Sequence, residues 1–420
     1  SELENLQDQV TQKPEVSKDV ENQIKGLQRE IQTLKARKTA PVGVPEVPAG
    51  NVPAWLQGTH FGGDMRVRFQ MASNSGEQDR LRGRFRMRYG ISKQLNEQLK
   101  AGFRLGTGTG NRRSNNVTMG NTSDGFDQYS IWLDQAYLEY KPNFLNQFDN
   151  MDITLHGGKF KENWKHKGIL IHPEAVGFDG FGQSICYTID DNLKADFNMA
   201  QLFISENAFA DNGDVDGDSE LYVFDGGIRG DAEAFTWGLR GTAYIFAGYN
   251  DSDTTNAGGA DDPTYALGGG GDYRTVVGTA ELGFNVADLP VSTFAQFGKN
   301  LNDETAGATS PGADKYWAVG LNVNRLRDPG DWSFGYKFAY LEENVFPAGL
   351  PDADLVGGTT DESYGGEAHW LYANYRLFAS TDLNITMIIP RTLSSSGLPA
   401  VDSDGETDSL ITKLNFTTRF

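Results

Sequence analysis

The chain has 420 residues and a formal net charge of -20 at pH 7, a balance that argues against a nucleic-acid-binding protein. Its mean hydropathy is -0.49, and no run of about 18 apolar residues is present, so the sequence predicts no transmembrane helix. Cys186 is the single cysteine, which excludes an internal disulfide and a cysteine-based zinc site. The 50 glycines and 25 phenylalanines are typical of many short alternating strands joined by tight turns.

The first 38 residues show a heptad pattern with alternating spacings of three and four, which predicts an α-helical coiled coil in the periplasm. Pro14 and the polar Lys13 and Ser17 weaken its middle, so the pattern is secure from about residue 16 to 37. The seam of this coil consists of Val20, Ile24, Leu27, Ile31 and Leu34. Isoleucine at a with leucine at d favours two chains, whereas the barrel predicted below favours three. A helix packed on a globular domain is the simpler alternative.

The stretch that follows the predicted coil contains four prolines, too many for a helix or an inner strand. It predicts a semi-extended linker. The expected domains are therefore a coiled coil at residues 1–38, a linker at residues 39–54 and a barrel at residues 55–420.

Arginine occupies every even position of residues 80–88, and mostly apolar residues occupy the odd positions. This period of two predicts a β-strand. Arginines in register would repel each other on the single wet face of a soluble sheet, but a wall between lipid and a wide aqueous lumen tolerates them. We therefore predict a strand of a transmembrane barrel. An ordinary amphipathic edge strand is the alternative that this stretch leaves open.

Similar alternating segments recur near residues 67, 86, 103, 136, 155, 184, 199, 225, 241, 279, 295, 320, 338, 373, 386 and 415. Their number is even, as a closed single-chain bacterial barrel requires. Short connections alternate with long polar ones such as residues 206–220 and 248–272, which is typical of short periplasmic turns and long external loops. The sequence predicts an all-β transmembrane barrel of about sixteen antiparallel strands in the bacterial outer membrane.

Aromatic residues mark the expected membrane boundaries. Tryptophans would form belts at the two rims; they are Trp237 and Trp332 on the periplasmic side and Trp132, Trp317 and Trp370 on the outer side. The C-terminal Phe420 lies in the lipid-facing register of the last strand, a position that outer-membrane assembly machinery reads in such barrels.

Basic residues of the first three strands share the lumen-facing register. They are Arg66, Arg68, Arg82, Arg84, Arg86, Arg88, Lys100 and Arg104. We predict that they line the pore as one basic wall, which draws anions into the lumen. The alternative is that they only keep the lumen wet and pair with carboxylates of a loop that folds inward.

Two motifs resemble the putative porin family of diderm bacteria: L-D-Q-A-Y-L-E-Y-K-P at residues 133–142 and G-K-F-K-E-N at residues 158–163. The resemblance covers residues 55–420 and implies an outer-membrane barrel porin. Relatives follow the second motif with proline and phenylalanine, whereas this chain has Trp164, Lys165 and His166. The coil also resembles porins that tether the outer membrane, which implies contact with peptidoglycan or the cell wall through a further N-terminal domain.

The connection at residues 161–176 lies where porins commonly fold a loop inward to narrow the channel. Its charged residues would set selectivity there; they are Lys161, Glu162, Lys165, Lys167 and Glu174. An ordinary surface loop is the alternative.

The acidic loop around Asp214, Asp216 and Asp218 imitates the start of an EF-hand, but the twelfth position is Val223 instead of glutamate. We predict at most a weak Ca²⁺ site outside the membrane, which would bridge lipopolysaccharide or neighbouring loops. A solvated acidic loop is the alternative, and no cofactor is required.

Enzyme motifs are absent from the sequence: there is no H-E-x-x-H and no nucleophile elbow, and the five histidines are scattered. We therefore predict a homotrimeric porin rather than an enzyme. It would pass small hydrophilic solutes and ions, with a bias towards anions. The alternative is an envelope-tethering structural protein whose barrel is mainly an anchor in the lipid bilayer.

Overall fold

The structure is a computed structural model that describes residues 53, 56–73, 78–108, 114–120, 128–145, 150–165, 167–171, 176–205, 219–248, 273–302, 312–347, 350–356, 365–393 and 409–420. Among these residues, no helix is long and apolar enough to cross a bilayer. The predicted coiled coil and almost all of the linker lie outside the described residues, so the division into three domains stays a prediction.

Sixteen long strands and one short strand make up the described sheet. They are β1 Thr59–Ser73, β2 Arg80–Gln94, β3 Leu99–Thr107, β4 Val117–Thr118, β5 Ile131–Tyr140, β6 Met151–Phe160, β7 Phe178–Asp190, β8 Leu193–Ser205, β9 Ser219–Ala232, β10 Phe235–Ala247, β11 Arg274–Val286, β12 Leu289–Asn300, β13 Lys315–Val323, β14 Trp332–Leu341, β15 Gly366–Phe378, β16 Thr381–Thr392 and β17 Leu410–Arg419.

The long strands close into one antiparallel barrel. Each pairs with the next long strand along the chain, and β17 returns to pair with β1, from Asp64 opposite Arg419 to Ser73 opposite Leu410. Every long strand described therefore has two neighbours, so its backbone groups are satisfied without water, as a membrane requires. The predicted barrel of about sixteen strands is confirmed, and each predicted strand centre falls inside a long strand.

The short strand β4 was not predicted from the sequence, because two residues are too few to show a period. It pairs with β2, with Val117 opposite Phe85 and Thr118 opposite Arg84. It thus continues the sheet beside β2 beyond the end of β3. This arrangement turns residues 114–116 back towards the arginines of β2.

Alternation along β2 separates two environments. The outward side chains of Leu81 and Met87 are 76% and 45% exposed, whereas Arg86 is 4% exposed. Large apolar side chains exposed on the outside continue around the barrel, including Phe69, Phe181, Phe297 and Phe416. In water such a surface would be a liability, but lipid is its natural contact.

Tight turns and the chain end complete the barrel. The turn between β11 and β12 consists of Ala287 and Asp288, which have φ angles of 46° and 66°; a two-residue turn with both φ angles positive matches the right-handed twist of the strands. At the closure, the Gly63 N–H donates to the Phe420 carbonyl at 2.9 Å. The Phe420 ring stacks on Tyr89 at a centroid distance of 6.3 Å.

Candidate functional site in the barrel interior

Arginines of β1 and β2 lie on the interior face, opposite the exposed apolar band. The strand register places Arg68 directly across from Arg84 and Arg66 directly across from Arg86. Like charges in such cross-strand positions repel unless other groups compensate them. The partners of each cation therefore decide what this face can do.

Carboxylates of the barrel wall compensate the cations nearest the β2–β3 turn. Asp64 accepts hydrogen bonds from Arg86 Nη2 and Arg88 Nε, both at 2.7 Å. Similar ion pairs follow on the neighbouring strands, between Arg104 and Asp134 and between Lys100 and Glu139. This part of the face is thus close to neutral, although the sequence predicted one continuous basic wall.

The other end of the same face meets neutral groups. Arg84 donates hydrogen bonds of 3.4 Å to Gln70 Oε1, Ser114 Oγ and the Asn116 carbonyl. Arg66 donates to the side-chain oxygen of Asn116 at 2.8 Å. The three acceptors of Arg84 relieve desolvation of its guanidinium group but do not cancel its charge.

A row of amides continues this face beyond Arg68. Arg68 Nε donates to Asn415 Oδ1 at 2.6 Å, Asn415 donates to Asn384 at 2.6 Å, Asn384 to Asn374 at 2.7 Å, and Asn374 to Ser333 at 3.0 Å. All the amides donate in one direction around the barrel. The row leaves polar donors and acceptors, without charge, along the interior faces of β14 to β17.

The predicted constriction loop crosses the interior. Lys165 pairs with Asp196 of β8 at 3.1 Å, and Lys167 pairs with Glu281 of β11 at 3.1 Å. The Ile169 N–H donates to the hydroxyl of Tyr316 on β13 at 3.4 Å. Residues 161–165 and 167–171 therefore run from β6 across to the wall formed by β11 and β13. Glu174 lies outside the described residues.

Glu162 begins this segment. Burial raises the pKa of its carboxyl, while its own backbone amide, Lys161 and Arg104 oppose that shift. The carboxyl is therefore easier to protonate than an exposed glutamate. Because Arg104 belongs to β3, the charge of Glu162 acts on the arginine side of the interior.

Gly168 is required for the close approach of the loop to the wall. A Cβ atom at this position would lie 1.7 Å from the Tyr316 hydroxyl and 2.3 Å from Gln296 Oε1. Both oxygens are also joined by a hydrogen bond of 2.9 Å. Any side chain at residue 168 would have to displace the loop or break this pair.

A second loop also folds inward, which the sequence reasoning missed. The Asp352 N–H donates to the Ile169 carbonyl at 3.0 Å, and Asn300 Nδ2 donates to the Asn344 carbonyl at 2.8 Å. Further along, Asp354 pairs with Lys413 of β17. Residues 342–347 and 350–356 thus extend the crossing from the first loop to the last strand. Below, residues 161–165 and 167–171 are called the first inward loop and residues 342–347 and 350–356 the second, together the two inward loops.

Apolar side chains of the two inward loops pack against the interior faces of the strands. Ile169, Ile171 and Val345 are fully buried. The ring of Phe346 contacts those of Tyr244 and Phe246 edge to face, at centroid distances of 5.1 and 5.3 Å. On this side the interior is therefore a packed apolar core, whereas the sequence predicted a wet lumen on all strands.

Trp370 belongs to this packed side, so its predicted place in the outer aromatic belt is wrong. It shares the interior register of β15 with Ala368 and is 4% exposed. The ammonium of Lys337 lies 4.2 Å from its ring centroid, a cation–π contact. Trp132, Trp317 and Trp332 are exposed on the outside.

A cavity of about 960 Å³ lies next to the first inward loop. Trp164 and Gly168 of the loop line it, as does Asn192 of the β7–β8 turn. Lysines face it from both the loop and the wall, at Lys167 and Lys337. The cavity therefore places two cationic side chains beside the first inward loop.

The remaining predicted sites cannot be compared with the structure. The coil seam of Val20, Ile24, Leu27, Ile31 and Leu34 lies outside the described residues, as do Asp214, Asp216 and Asp218 of the acidic loop. Within the described part of the chain, no group of three or more histidine, cysteine, aspartate or glutamate side chains is placed to hold a metal ion. The calcium site stays a prediction.

A closed antiparallel barrel with an apolar outside and charged groups inside is the architecture of a porin-type membrane protein. The family described as putative porin matches residues 71–224, which contain the arginine-rich strand and both motifs. The predicted family resemblance is confirmed. A search of curated protein sequences found no match.

Solved structures agree with the barrel. The high-pH structure of Pseudomonas putida OprB is 13% identical, covers 86% of this chain and 94% of its own, and has a TM-score of 0.54. Its low-pH structure is 11% identical, with a TM-score of 0.47 and coverages of 86% and 93%. A triple mutant of the Rhodopseudomonas blastica porin is 10% identical, with a TM-score of 0.41 and coverages of 86% and 100%. The likeness of fold rests on the first of these.

Proposed function

We propose that this protein is an outer-membrane porin whose water-filled channel passes small hydrophilic solutes and ions by diffusion. The observation that carries the proposal is the closed barrel, with charged side chains inside and apolar side chains outside. The family match over residues 71–224 supports it. No chemistry is required of such a channel, because selectivity follows from its width and lining charges.

The channel favours anions in this proposal. The two inward loops exclude water from the interior faces near Phe346, so hydrated solutes pass beside the arginines of β1 and β2. Fixed charge in a narrow lumen acts on permeating ions more strongly than screened charge on external loops. The bias therefore has the sign of the arginines, despite a net charge of -20 on the chain.

Assembly is a further part of the proposal. The seam at residues 20–34 would join three chains on the periplasmic side, and the barrels would sit in the lipid bilayer with lipopolysaccharide around their outer rims. A domain beyond the coil would link the porin to peptidoglycan or the cell wall. Only the heptad pattern and the stated resemblance support these points.

An envelope anchor is the second candidate. It is favoured by the apolar packing of the two inward loops, since a barrel filled by its own loops would hold the membrane without conducting. The coiled coil would then be the functional part and the barrel a passive attachment.

Conductance of the full chain separates the two candidates. The purified protein is inserted into planar bilayers, and current steps are recorded in potassium chloride. A porin gives stable steps, and in a salt gradient the reversal potential has the sign of anion preference. An anchor gives almost no current. Chemical cross-linking of the same preparation should yield species up to three chains; a product that stops at two would remove the trimer from the proposal.

A further inference from the structure

Arg82 and Arg84 differ from the other charged groups in their surroundings. Within the described part of the chain, Arg82 makes no hydrogen bond or ion pair, and its Nε is buried without a partner. Arg84 has only the three neutral acceptors at 3.4 Å, and its Nε is also unpartnered. A hydrogen bond of that length is weak, so much of the donor capacity of both guanidinium groups is unused.

Several other interior arginines have carboxylate partners. Arg240 pairs with both Asp196 and Asp225, and Arg376 pairs with Asp382. Asp64 of β1 pairs with both Arg86 and Arg88 of β2, the strand that also carries Arg82 and Arg84. Buried guanidinium groups are costly unless a charge balances them. The missing carboxylate at Arg82 and Arg84 is therefore a local property of the wall.

The neighbouring charges leave this place positive. Arg68 and Arg80 add positive potential at Arg82, and the one negative contribution comes from Asp354 of the second inward loop. The carboxylate of Asp354 is already paired with Lys413. Positive charge thus exceeds negative charge where the second inward loop faces the arginine side.

The chemistry of two guanidinium groups defines what would bind. Residues two apart on one strand face the same side, and their backbones are about 6.6 Å apart. Each guanidinium presents a planar fork that donates two parallel hydrogen bonds to oxygen atoms of one anion. A tetrahedral oxyanion can accept from both forks at once, whereas chloride has no separate oxygen atoms to match them.

We propose that Arg82 and Arg84 form a binding site for phosphate-type oxyanions inside the channel. This inference rests on the proposed channel function for its role, because the bound anion would be a permeating solute. The site would select such anions over chloride and concentrate them beside the second inward loop.

The test uses the full chain in planar bilayers bathed in potassium chloride, with inorganic phosphate as the probe. Phosphate should reduce the chloride current in a saturable way. The double variant Arg82→Gln with Arg84→Gln should weaken this block by roughly tenfold or more, because charge-assisted hydrogen bonds are lost. Arg82→Lys with Arg84→Lys keeps the charge but loses the forks. It should retain anion preference in chloride and still lose most of the phosphate block.

Arg376→Gln is the matched control. It removes one positive charge from the interior, and Asp382 keeps Arg419 as a partner. Phosphate block should be unchanged in this variant. An equal loss of block in the control would overturn the site, because general lumen charge would then explain the effect.

Calorimetric titration of the detergent-solubilised protein with phosphate separates this inference from the channel itself. The protein could conduct no current and still bind phosphate, with binding lost in the Arg82→Gln, Arg84→Gln variant. That result would contradict the proposed channel function and support the phosphate site. A barrel that conducts chloride normally but neither binds phosphate nor is blocked by it would overturn the site and keep the channel.

Discussion

The interior of this barrel has two dissimilar sides. On the strands β1, β2 and β3, charged side chains line the interior face, and Arg82 and Arg84 have no carboxylate hydrogen-bond partner among the described residues. On the strands β10 to β16, the part of the interior face that the two inward loops cover is apolar, while amides line the interior of β14 to β16 away from the loops. The same alternation of inward and outward side chains along the strands is present on both sides. The sides differ because the two inward loops pack against only one of them.

The two sides differ in how their buried polar and charged groups are compensated. Where the loops pack, each buried apolar side chain contributes roughly 1.5–3 kcal/mol, and polar groups there need partners. Asp225 is fully buried and accepts hydrogen bonds from Asn198, Arg240 and Thr242. On the arginine side, by contrast, Arg82 and Arg84 have no such charged partner among the described residues. Three substitutions test this contrast, in order of decreasing expected effect.

The largest effect is expected for Arg240→Leu, which removes the cation that balances the charge of Asp225. Asp225 is fully buried and would lose its cation, which typically costs about 3–5 kcal/mol. Urea-dependent unfolding of the protein in lipid vesicles measures this loss. The matched control is Lys141→Gln, because Lys141 and Asp152 form a pair that is 51% and 58% exposed, and such pairs contribute at most about 1 kcal/mol. Similar losses for both variants would mean that water reaches Asp225.

A smaller effect is expected for Gly168→Ala, which should displace the first inward loop from the barrel wall. The added methyl group overlaps Tyr316 and Gln296, and overpacking of this kind typically costs about 1–3 kcal/mol. We expect larger and noisier single-channel currents, because the loop leaves the wall while the barrel stays closed. Gly241→Ala is the control, since its Cβ would have nothing within 4 Å. Unchanged currents in Gly168→Ala would show that the loop does not limit the channel.

Sequence reasoning found the barrel because a period of two recurs over many residues and needs no knowledge of partners. It also placed the arginines on the interior face by the same register. The second inward loop escaped it, because loops carry no period and their anchors, such as Asn300 and Tyr316, come from distant strands. One signal was available: Val345, Phe346 and Leu350 are apolar residues in a connection that was expected to be polar and external.

Pairing was equally hidden from the sequence. Asp64 and Asp134 lie in strands that read as alternating, and nothing in the period indicates that each carboxylate meets a particular arginine. The prediction of one basic wall therefore overstated its charge. Cross-strand register decides which cations are neutralised, between β1 and β2 for Asp64 and between β3 and β5 for Asp134.

The smallest effect is expected for Glu162, which lies where the first inward loop leaves the arginine side. Burial raises the pKa of its carboxyl, although its backbone amide and Lys161 oppose the shift. As the pH falls from neutral through this raised pKa, the carboxyl takes up a proton and the loop loses one negative charge. Anion preference should then increase, and reversal potentials in a salt gradient measure it. The effect is small because a single charge is changed and Arg104 already offsets part of it.

The stability of the folded protein should also depend on the protonation of Glu162, which allows an independent check. Because its pKa is higher in the folded protein than in the unfolded chain, the folded state binds its proton more tightly, and stability falls as the pH rises between the two values. Glu162→Gln should remove both the stability step and the permeability step. If the permeability step persists in this variant, the responsible carboxylate belongs to another group, and Asp354 beside the arginine side becomes the next residue to substitute. The arginine side would then be controlled from the second inward loop instead of the first.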